Sequence, residues 1–212
     1  MRLVLSGFAG VGKSTIIDYV SKNYSDVFIS PESAREVNYT KDFFTIEDPN
    51  FEFFQKSVMD NEVMKIILTN INSVESVVYD RSLIDNLAFA EIFYGSKRID
   101  YKKVQDFIFK IQDEYSVKNI YDNILFIEST KNVDFINKFI LNDPFRKATT
   151  AGNAIDFIKK SEKWEQIYFE ILNKLTGVSN SVVTINHFSE TSTYEKDLVK
   201  ILDSQFKNKP LN

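Results

Sequence analysis

The sequence predicts an α/β fold, a three-layer domain in which helices cover both faces of a five-stranded, mostly parallel sheet. Five short apolar runs alternate with long amphipathic stretches, which is the pattern of repeated βαβ units. A glycine-rich segment follows the first run directly and opens the first helical pattern, as a ligand-binding loop of such a sheet does. A length of 212 residues suits one such domain and is short for two. We expect a single domain over residues 1–204 and a flexible tail over 205–212.

The predicted strands and helices follow from hydrophobic periodicity along the chain. The third apolar run leads directly into Asp80, and Gly95 is expected to end the helix that precedes it. On the helix that contains Trp164, the apolar residues form a clean stripe, so we expect this aromatic side chain to lie in the core. The predicted strands are Leu3–Ser6, Val27–Ser30, Val77–Tyr79, Ile124–Ile127 and Val182–Ile185; after the first helix, which follows the glycine-rich segment, helices are expected from near Ser33, over Phe51–Asn70, Leu83–Tyr94 and Tyr101–Val117, around Trp164–Leu175, and over Thr193–Leu202.

The glycine-rich segment at residues 7–14, GFAGVGKS, fits the phosphate-binding pattern G-x-x-x-x-G-K-[ST]. Its glycines allow successive backbone amides to point at phosphate oxygens, and the following helix adds the positive end of its dipole. Lys13 is expected to reach the β- and γ-phosphates of a nucleoside triphosphate, and the Ser14 hydroxyl to bind Mg²⁺. An ordinary glycine turn before a helix is the alternative. The expected nucleotide-binding residues are Gly7, Ala9, Gly10, Val11, Gly12, Lys13, Ser14 and Thr15.

The composition excludes several other kinds of site. The chain has no Cys and one His, so disulfides, thiolate metal sites and histidine-rich metal sites are excluded. A net charge of −4 and a pI near 5.2 argue against a nucleic-acid-coating surface. No leader-like segment and no apolar run of about 20 residues is present, so we expect a cytoplasmic protein without a membrane partner.

The residues after the second and third strands are expected at the ligand edge of the sheet. Glu32 could accept the proton of an attacking hydroxyl, and Arg35 could hold the acceptor's phosphate or carboxylate. A surface ion pair at a helix start explains the same two residues. Asp80 is expected beside Mg²⁺ and Arg81 on the acceptor side. Helix capping, by Asp80 or instead by Ser82, is the alternative.

Three further positions are candidates with equally plain structural explanations. Phe54 and Gln55 on the long helix could stack on and hydrogen-bond a nucleobase, or simply occupy a helix surface. Arg146 lies in an irregular segment, residues 130–152, that is expected to form a mobile lid; an arginine there could close over the transferred group, or belong to a solvated basic loop. His187, the single histidine, is expected to be structural.

With these residues, the chain resembles the P-loop nucleoside and nucleotide kinases, above all nicotinamide-riboside-kinase-like ATPases and deoxynucleoside and thymidylate kinases. The resemblance runs from Arg2 to about Leu202, with the phosphate loop as its specific part. It implies the P-loop NTPase fold, a base at Glu32 within ESAR, and a base-reading glutamine at Gln55 within FFQ. It also implies that Asp80 and Arg81 of the YDRS segment, and Arg146 of the DPFR segment, act in the site. The chain lacks the tight pair of lid arginines, and Glu32 is not followed by proline as in many deoxynucleoside kinases.

We therefore expect an ATP- and Mg²⁺-dependent kinase whose acceptor is a small nucleoside, with a nucleoside monophosphate as the alternative. A homodimer is left open, and nucleic acid is disfavoured as a partner. Nucleotide-hydrolysing switches form a second class, but neither NKFI (Asn137–Ile140) nor NKLT (Asn173–Thr176) has the aspartate of a guanine-binding N-K-x-D segment. A kinase acting on a polynucleotide hydroxyl is a third possibility, against which the acidic pI counts.

Overall fold

A computed structural model of the chain describes residues 1–37, 51–94, 99–141, 153–185 and 194–206. Within these ranges five strands form one sheet in the order β2-β3-β1-β4-β5, and every neighbouring pair is parallel. This confirms the predicted sheet and makes it parallel throughout. The strands are β1 Arg2–Ser6, β2 Phe28–Ser30, β3 Val77–Asp80, β4 Tyr121–Ile127 and β5 Ser179–Ile185.

Helices connect successive strands and pack around the sheet. None of those in the described ranges is long and apolar enough to cross a membrane. A short helical turn after β4 continues directly into a π-helical segment, Ile136–Ile140. The α-helices are α1 Lys13–Asn23, α2 Ser33–Val37, α3 Phe51–Ile71, α4 Leu83–Tyr94, α5 Tyr101–Tyr115, α6 Val133–Phe135, α7 Ala154–Lys174 and α8 Tyr194–Phe206.

The central strands are buried because helices cover the sheet around them. All four residues of β3 and the last four of both β1 and β4 are buried, which explains their nearly continuous apolar sequences. The strand β4 starts at Tyr121, three residues earlier than predicted. Its added polar residues have partners: Asp122 accepts hydrogen bonds from Arg2, and Asn123 donates to Gln205. Backbone pairing of β4 therefore begins before the apolar run from which the strand was predicted.

Aromatic side chains form a large part of the core, as the heavy aromatic content predicts. Trp164 of α7 is fully buried. Its ring centroid lies 5.8 Å from that of Phe8, 5.3 Å from Phe89 and 6.2 Å from Phe126. The predicted apolar stripe of this helix is thus confirmed as a core contact. It joins the first loop, α4 and β4 through one indole ring.

Several predicted boundaries and faces need correction. On α3, apolar and buried positions do not coincide throughout, because Ile71 is 57% exposed whereas Glu62 is only 1% exposed. The region after Thr130, predicted as irregular, contains helical turns over residues 133–140. The final helix extends to Phe206, whose ring lies 5.1 Å from that of Tyr24, so the first two residues of the predicted tail are helical. The contact between Phe206 and Tyr24 ties the end of this helix to the rest of the domain.

Candidate active site

The glycine-rich loop connects β1 to α1 and has the backbone that an anion site requires. Gly7 has φ 145°, and a Cβ placed on it would lie 2.6 Å from the carbonyl oxygen of Ile127. Gly12 is the N-cap of α1 at φ 92°, and its carbonyl accepts from the amides of Thr15 and Ile16. Because Gly12 has no side chain to cap the helix, no side-chain cap occupies the amides of Lys13 and Ser14 at the start of α1. This backbone is compatible with phosphate binding, which stays a prediction.

Lys13 is held against the loop itself. Its Nζ donates to the carbonyl oxygens of Gly7 at 2.7 Å and Phe8 at 2.9 Å, and the side chain is buried. Burial and the charge of Arg81 lower the pKa of Lys13 to about 7, although neighbouring carboxylates partly oppose this. Ser14 is exposed one residue further along α1. Phosphate oxygens in place of these carbonyls would raise the pKa of Lys13 again and keep the side chain fully charged.

The remaining loop residues divide between exposed and core positions. Ala9 and Gly10 are half-buried, Val11 is buried and Thr15 is exposed. Phe8 lies in the core, with its ring centroid 5.4 Å from that of Phe157 on α7. The loop is thus attached to the helix that begins at residue 154.

Asp85, which was not among the predicted site residues, is a buried aspartate that accepts hydrogen bonds from the start of the loop. Asp85 on α4 has no exposed surface. Its carboxylate accepts from Ser6 Oγ at 2.6 Å and from the amide of Gly7 at 3.3 Å. Tyr168 of α7 donates to the same Ser6 hydroxyl at 2.9 Å. Asp85 therefore fixes the point where β1 becomes the loop.

Asp85 also decides which residue caps α4. The Ser82 hydroxyl accepts from the amide of Asp85 at 3.1 Å, and the Asp85 carboxylate accepts from the amide of Ser82 at 2.8 Å. This reciprocal pair is a capping box, and its S-x-x-D spacing was visible in the sequence. Ser82 therefore caps the helix, and Asp80 is not needed for that purpose.

Glu32 and Arg81, which follow β2 and β3, form an ion pair. Arg81 Nε donates to Glu32 Oε1, while Arg81 Nη1 donates to the carbonyl of Gly7 at 3.2 Å. Arg35 Nε lies 2.9 Å from the other oxygen, Glu32 Oε2. The Arg81 guanidinium lies 5.0 Å from the ring centroid of Phe89 and its backbone has φ 85°, a conformation that non-glycine residues rarely adopt. One carboxylate thus lies between two guanidinium groups, next to the phosphate loop.

The charges around this pair keep Glu32 ionised. Burial alone would raise the pKa of Glu32, but the positive charges of Arg81, Lys13 and Arg35 outweigh it and hold that pKa at about 2. The carboxylates likewise raise the pKa of Arg81 despite its burial. At neutral pH the site therefore presents an anionic oxygen pair that can accept a proton or a hydrogen bond.

Asp80 lies beside the loop because β3 is the neighbour of β1, and it pairs with Leu5 in the register. Burial and the charge of Glu32 raise the pKa of Asp80. Its Oδ1 is buried and has no hydrogen-bond partner among the described residues. An ionised carboxylate can only accept hydrogen bonds, so a bound cation would satisfy this oxygen. The position therefore fits a magnesium ligand.

The roles of the remaining predicted site residues stay predictions. Phe54 and Gln55 are half-buried near the start of α3, and Gln55 lies two helical turns before Glu62 on the same face. Their contact with a nucleobase stays a prediction. Arg146 and His187 lie outside the described residues.

Comparison with known proteins places the fold. Neither protein-family models nor curated protein sequences give a significant match. Among solved structures, deoxyadenosine kinase from M. mycoides with bound dATP has a TM-score of 0.56 at 14% identity, covering 96% of this chain and all of that one. The same kinase with bound dCTP has a TM-score of 0.54 at 18% identity, with 96% and 100% coverage. YorR protein from Bacillus subtilis, in complex with phosphorylated GDP, has 0.55 at 14% identity, with 99% and 100% coverage. This chain therefore has a P-loop nucleoside-kinase-like fold, as its sequence predicts.

Proposed function

We propose that this protein is a kinase that transfers the γ-phosphoryl group of ATP·Mg²⁺ to a hydroxyl of a small nucleoside. The observation that carries the proposal is the placement of the Glu32 carboxylate between Arg81 and Arg35, with Arg81 also bonded to the phosphate loop at Gly7. A hydroxyl that hydrogen-bonds to Glu32 would lie next to the loop that holds the donor phosphates. The neighbouring structures named for deoxyadenosine kinase support this choice of reaction.

The low pKa of Glu32 is compatible with a role as the base. In phosphoryl transfer through a loose transition state, the attacking hydroxyl loses its proton late, so orientation matters more than basicity. Glu32 would orient the hydroxyl and accept its proton as the new P–O bond forms. Arg81, which touches both Glu32 and Gly7, would neutralise charge between acceptor and donor. Lys13 would move from the loop carbonyls to the donor phosphates.

Magnesium fits two of the residues present. The Asp80 Oδ1 that has no partner among the described residues and the exposed Ser14 hydroxyl are oxygen donors of the kind that Mg²⁺ prefers. Mg²⁺ there would neutralise charge on the donor phosphates. Asp80 and Ser14 would hold it, and Lys13 and the loop amides would hold the remaining phosphate oxygens.

The test is ADP release from ATP·Mg²⁺ across a panel of nucleosides and nucleoside monophosphates. We expect at least one nucleoside to stimulate release, and Glu32→Gln to lower the stimulated rate about 10²–10⁴-fold, the usual contribution of a positioned base. Glu36→Gln is the matched control, because Glu36 lies on α2, the short helix that follows Glu32 directly, and is bonded to Asn61 and Lys65, not to Arg81. ADP release that no acceptor stimulates would contradict the proposal and point to a nucleotide-hydrolysing switch.

A nucleoside monophosphate is the second candidate acceptor, and one observation favours it. Arg35 and Arg81 converge on a single carboxylate, and the exposed Arg35 could turn to a phosphate dianion instead. In that case stimulation would appear only with monophosphates. It would survive Glu32→Gln and be lost in Arg35→Ala.

A further inference from the structure

Glu62 is a buried carboxyl group that the proposed chemistry does not use. It lies in the middle of α3. Its Oε2 accepts from the Ser33 hydroxyl at 2.7 Å, and its Oε1 accepts from the Tyr121 hydroxyl at 3.2 Å. A charged side chain in such a position is costly to bury, so its two bonds to separate elements need a reason.

On one side, Glu62 holds the turn that carries Glu32. Ser33 is the next residue along the chain from Glu32 and the first residue of α2. Lys65, one turn along α3 from Glu62, reinforces the contact by donating to the Pro31 carbonyl and, at 3.1 Å, to Ser33 Oγ. The residues on both sides of Glu32 are therefore fastened to α3.

On the other side, Glu62 is linked to the turn that carries Arg81. The Tyr121 hydroxyl that donates to Glu62 accepts from the amide of Leu83 at 3.0 Å. Leu83 is the first residue of α4, two positions after Arg81. The chain of bonds Ser33–Glu62–Tyr121–Leu83 thus joins the two turns whose side chains meet in the Glu32–Arg81 pair.

We propose that Glu62 is a positioning residue that holds Glu32 against Arg81 and thereby sets the affinity for the acceptor. The effect on the acceptor rests on the proposed function. The effect on the Glu32–Arg81 pair does not, so the two can be tested separately.

The protonation state of Glu62 should matter near neutral pH. Burial raises its pKa to about 7, although bonds from Ser33 and Tyr121 and the charge of Lys65 oppose the rise. When Glu62 is ionised, its carboxylate accepts hydrogen bonds from both hydroxyls. When Glu62 is protonated, one of its oxygens becomes a donor and faces a hydroxyl that donates to it in the ionised state. Acceptor affinity should therefore increase as the pH rises through this range. The groups that face Glu62 are Lys65 on α3, Ser33 on α2, Tyr79 on β3, Asp85 on α4 and Tyr121 on β4.

The first test measures the bond itself and needs no substrate. The NMR signal of Arg81 Nε–H, assigned by its loss in Arg81→Lys, reports the pairing with Glu32 through its hydrogen-exchange rate. We expect Glu62→Gln, Ser33→Ala and Tyr121→Phe each to accelerate this exchange about tenfold, since a hydrogen bond to a charged group is lost in each case. Backbone amides of β1 should keep their protection, and Asp60→Asn, an exposed acid on α3, should change neither. Unchanged Arg81 exchange in all three variants would overturn the proposal.

The second test uses kinetics on whichever acceptor stimulates ADP release. We expect Glu62→Gln to raise the acceptor KM about tenfold, to leave the KM for ATP nearly unchanged, and to flatten the pH dependence of acceptor KM between pH 6 and 8. Faster Arg81 exchange with an unchanged acceptor KM would overturn the link to the acceptor. If no acceptor stimulates wild-type protein, the proposed function fails, and the exchange measurement still decides whether Glu62 positions the pair.

Discussion

Replacement of Asp85 by asparagine should destabilise the whole domain through the start of the phosphate loop. The Asp85 carboxylate is fully buried and accepts from Ser6 Oγ, the amide of Gly7 and both the amide and hydroxyl of Ser82. All of these groups donate, so the amide nitrogen of an asparagine would face a donor whichever way it turned. The charge that lies 3.8 Å from Arg81 Nη1 would also be lost.

The expected magnitude follows from these contacts. Each hydrogen bond to a charged group contributes about 1.5–3 kcal/mol, and asparagine should lose at least one and weaken the others. We expect the free energy of unfolding to fall by about 3–5 kcal/mol, in the range for breaking a buried charged network. For a chain of this size that lowers the melting temperature by roughly 10 °C. Thermal unfolding followed by circular dichroism is the assay.

A second capping aspartate provides a matched control. Asp156 has the same position at the start of α7, where its amide donates to the Asn153 side chain and its carboxylate accepts from the Asn153 side-chain amide, but Asp156 is exposed. Asp156→Asn should cost less than about 1 kcal/mol, because solvent can replace the lost bond. If both variants melt within a degree or two of each other, the burial of Asp85 does not have the consequence argued here.

Two further predictions concern Lys13 and Glu62. Lys13→Ala should weaken ATP binding at least about 100-fold. Binding can be followed by the fluorescence of Trp164, the single tryptophan, which packs against Phe8 of the phosphate loop. A variant that binds ATP with the wild-type fluorescence titration would contradict the role of the lysine. The pKa of Glu62 in the folded protein is about 7, above the ordinary value of 4.5. The contribution of Glu62 to stability is therefore greatest below pH 4.5, declines as the pH rises, and is fully lost above pH 7. The difference amounts to roughly 3 kcal/mol, and chemical denaturation of Glu62→Gln should lack this part of the decline that wild type shows between pH 4.5 and 7.

The fold and the phosphate loop were predictable because their signals are local. Apolar runs identify buried strands, and the spacing of Gly7, Gly12 and Lys13 specifies a backbone shape without reference to the rest of the chain. The placement of Glu32 and Arg81 at the ligand edge was also predictable, since parallel strands end at the same edge of a sheet. Their contact also required that β2 and β3 be neighbours in the sheet, as the structure shows.

The supporting residues were not predictable in the same way. Glu62 resembles any charged residue on a helix until Ser33 and Tyr121, respectively 29 and 59 positions away in sequence, are placed beside it. The sequence contained a hint, because Val58, Glu62 and Ile66 are four residues apart and therefore share one face of α3. Val58 and Ile66 are buried apolar residues. For Asp85 the capping pattern was visible, but its bonds to Ser6 and Gly7 depend on how α4 packs beneath β1.

The position of β1 in the sheet has a consequence for biosynthesis. This strand is at the start of the chain, yet its partners are β3 and β4, so that Val4 pairs with Tyr79 and with Ile124. During translation β1 can complete its pairing only after β4, which ends at Ile127, has left the ribosome. Such long-range parallel pairing folds slowly and exposes apolar segments to aggregation in the interval. The nascent chain should therefore depend on chaperones until β4 emerges, and the phosphate loop should not bind nucleotide before then.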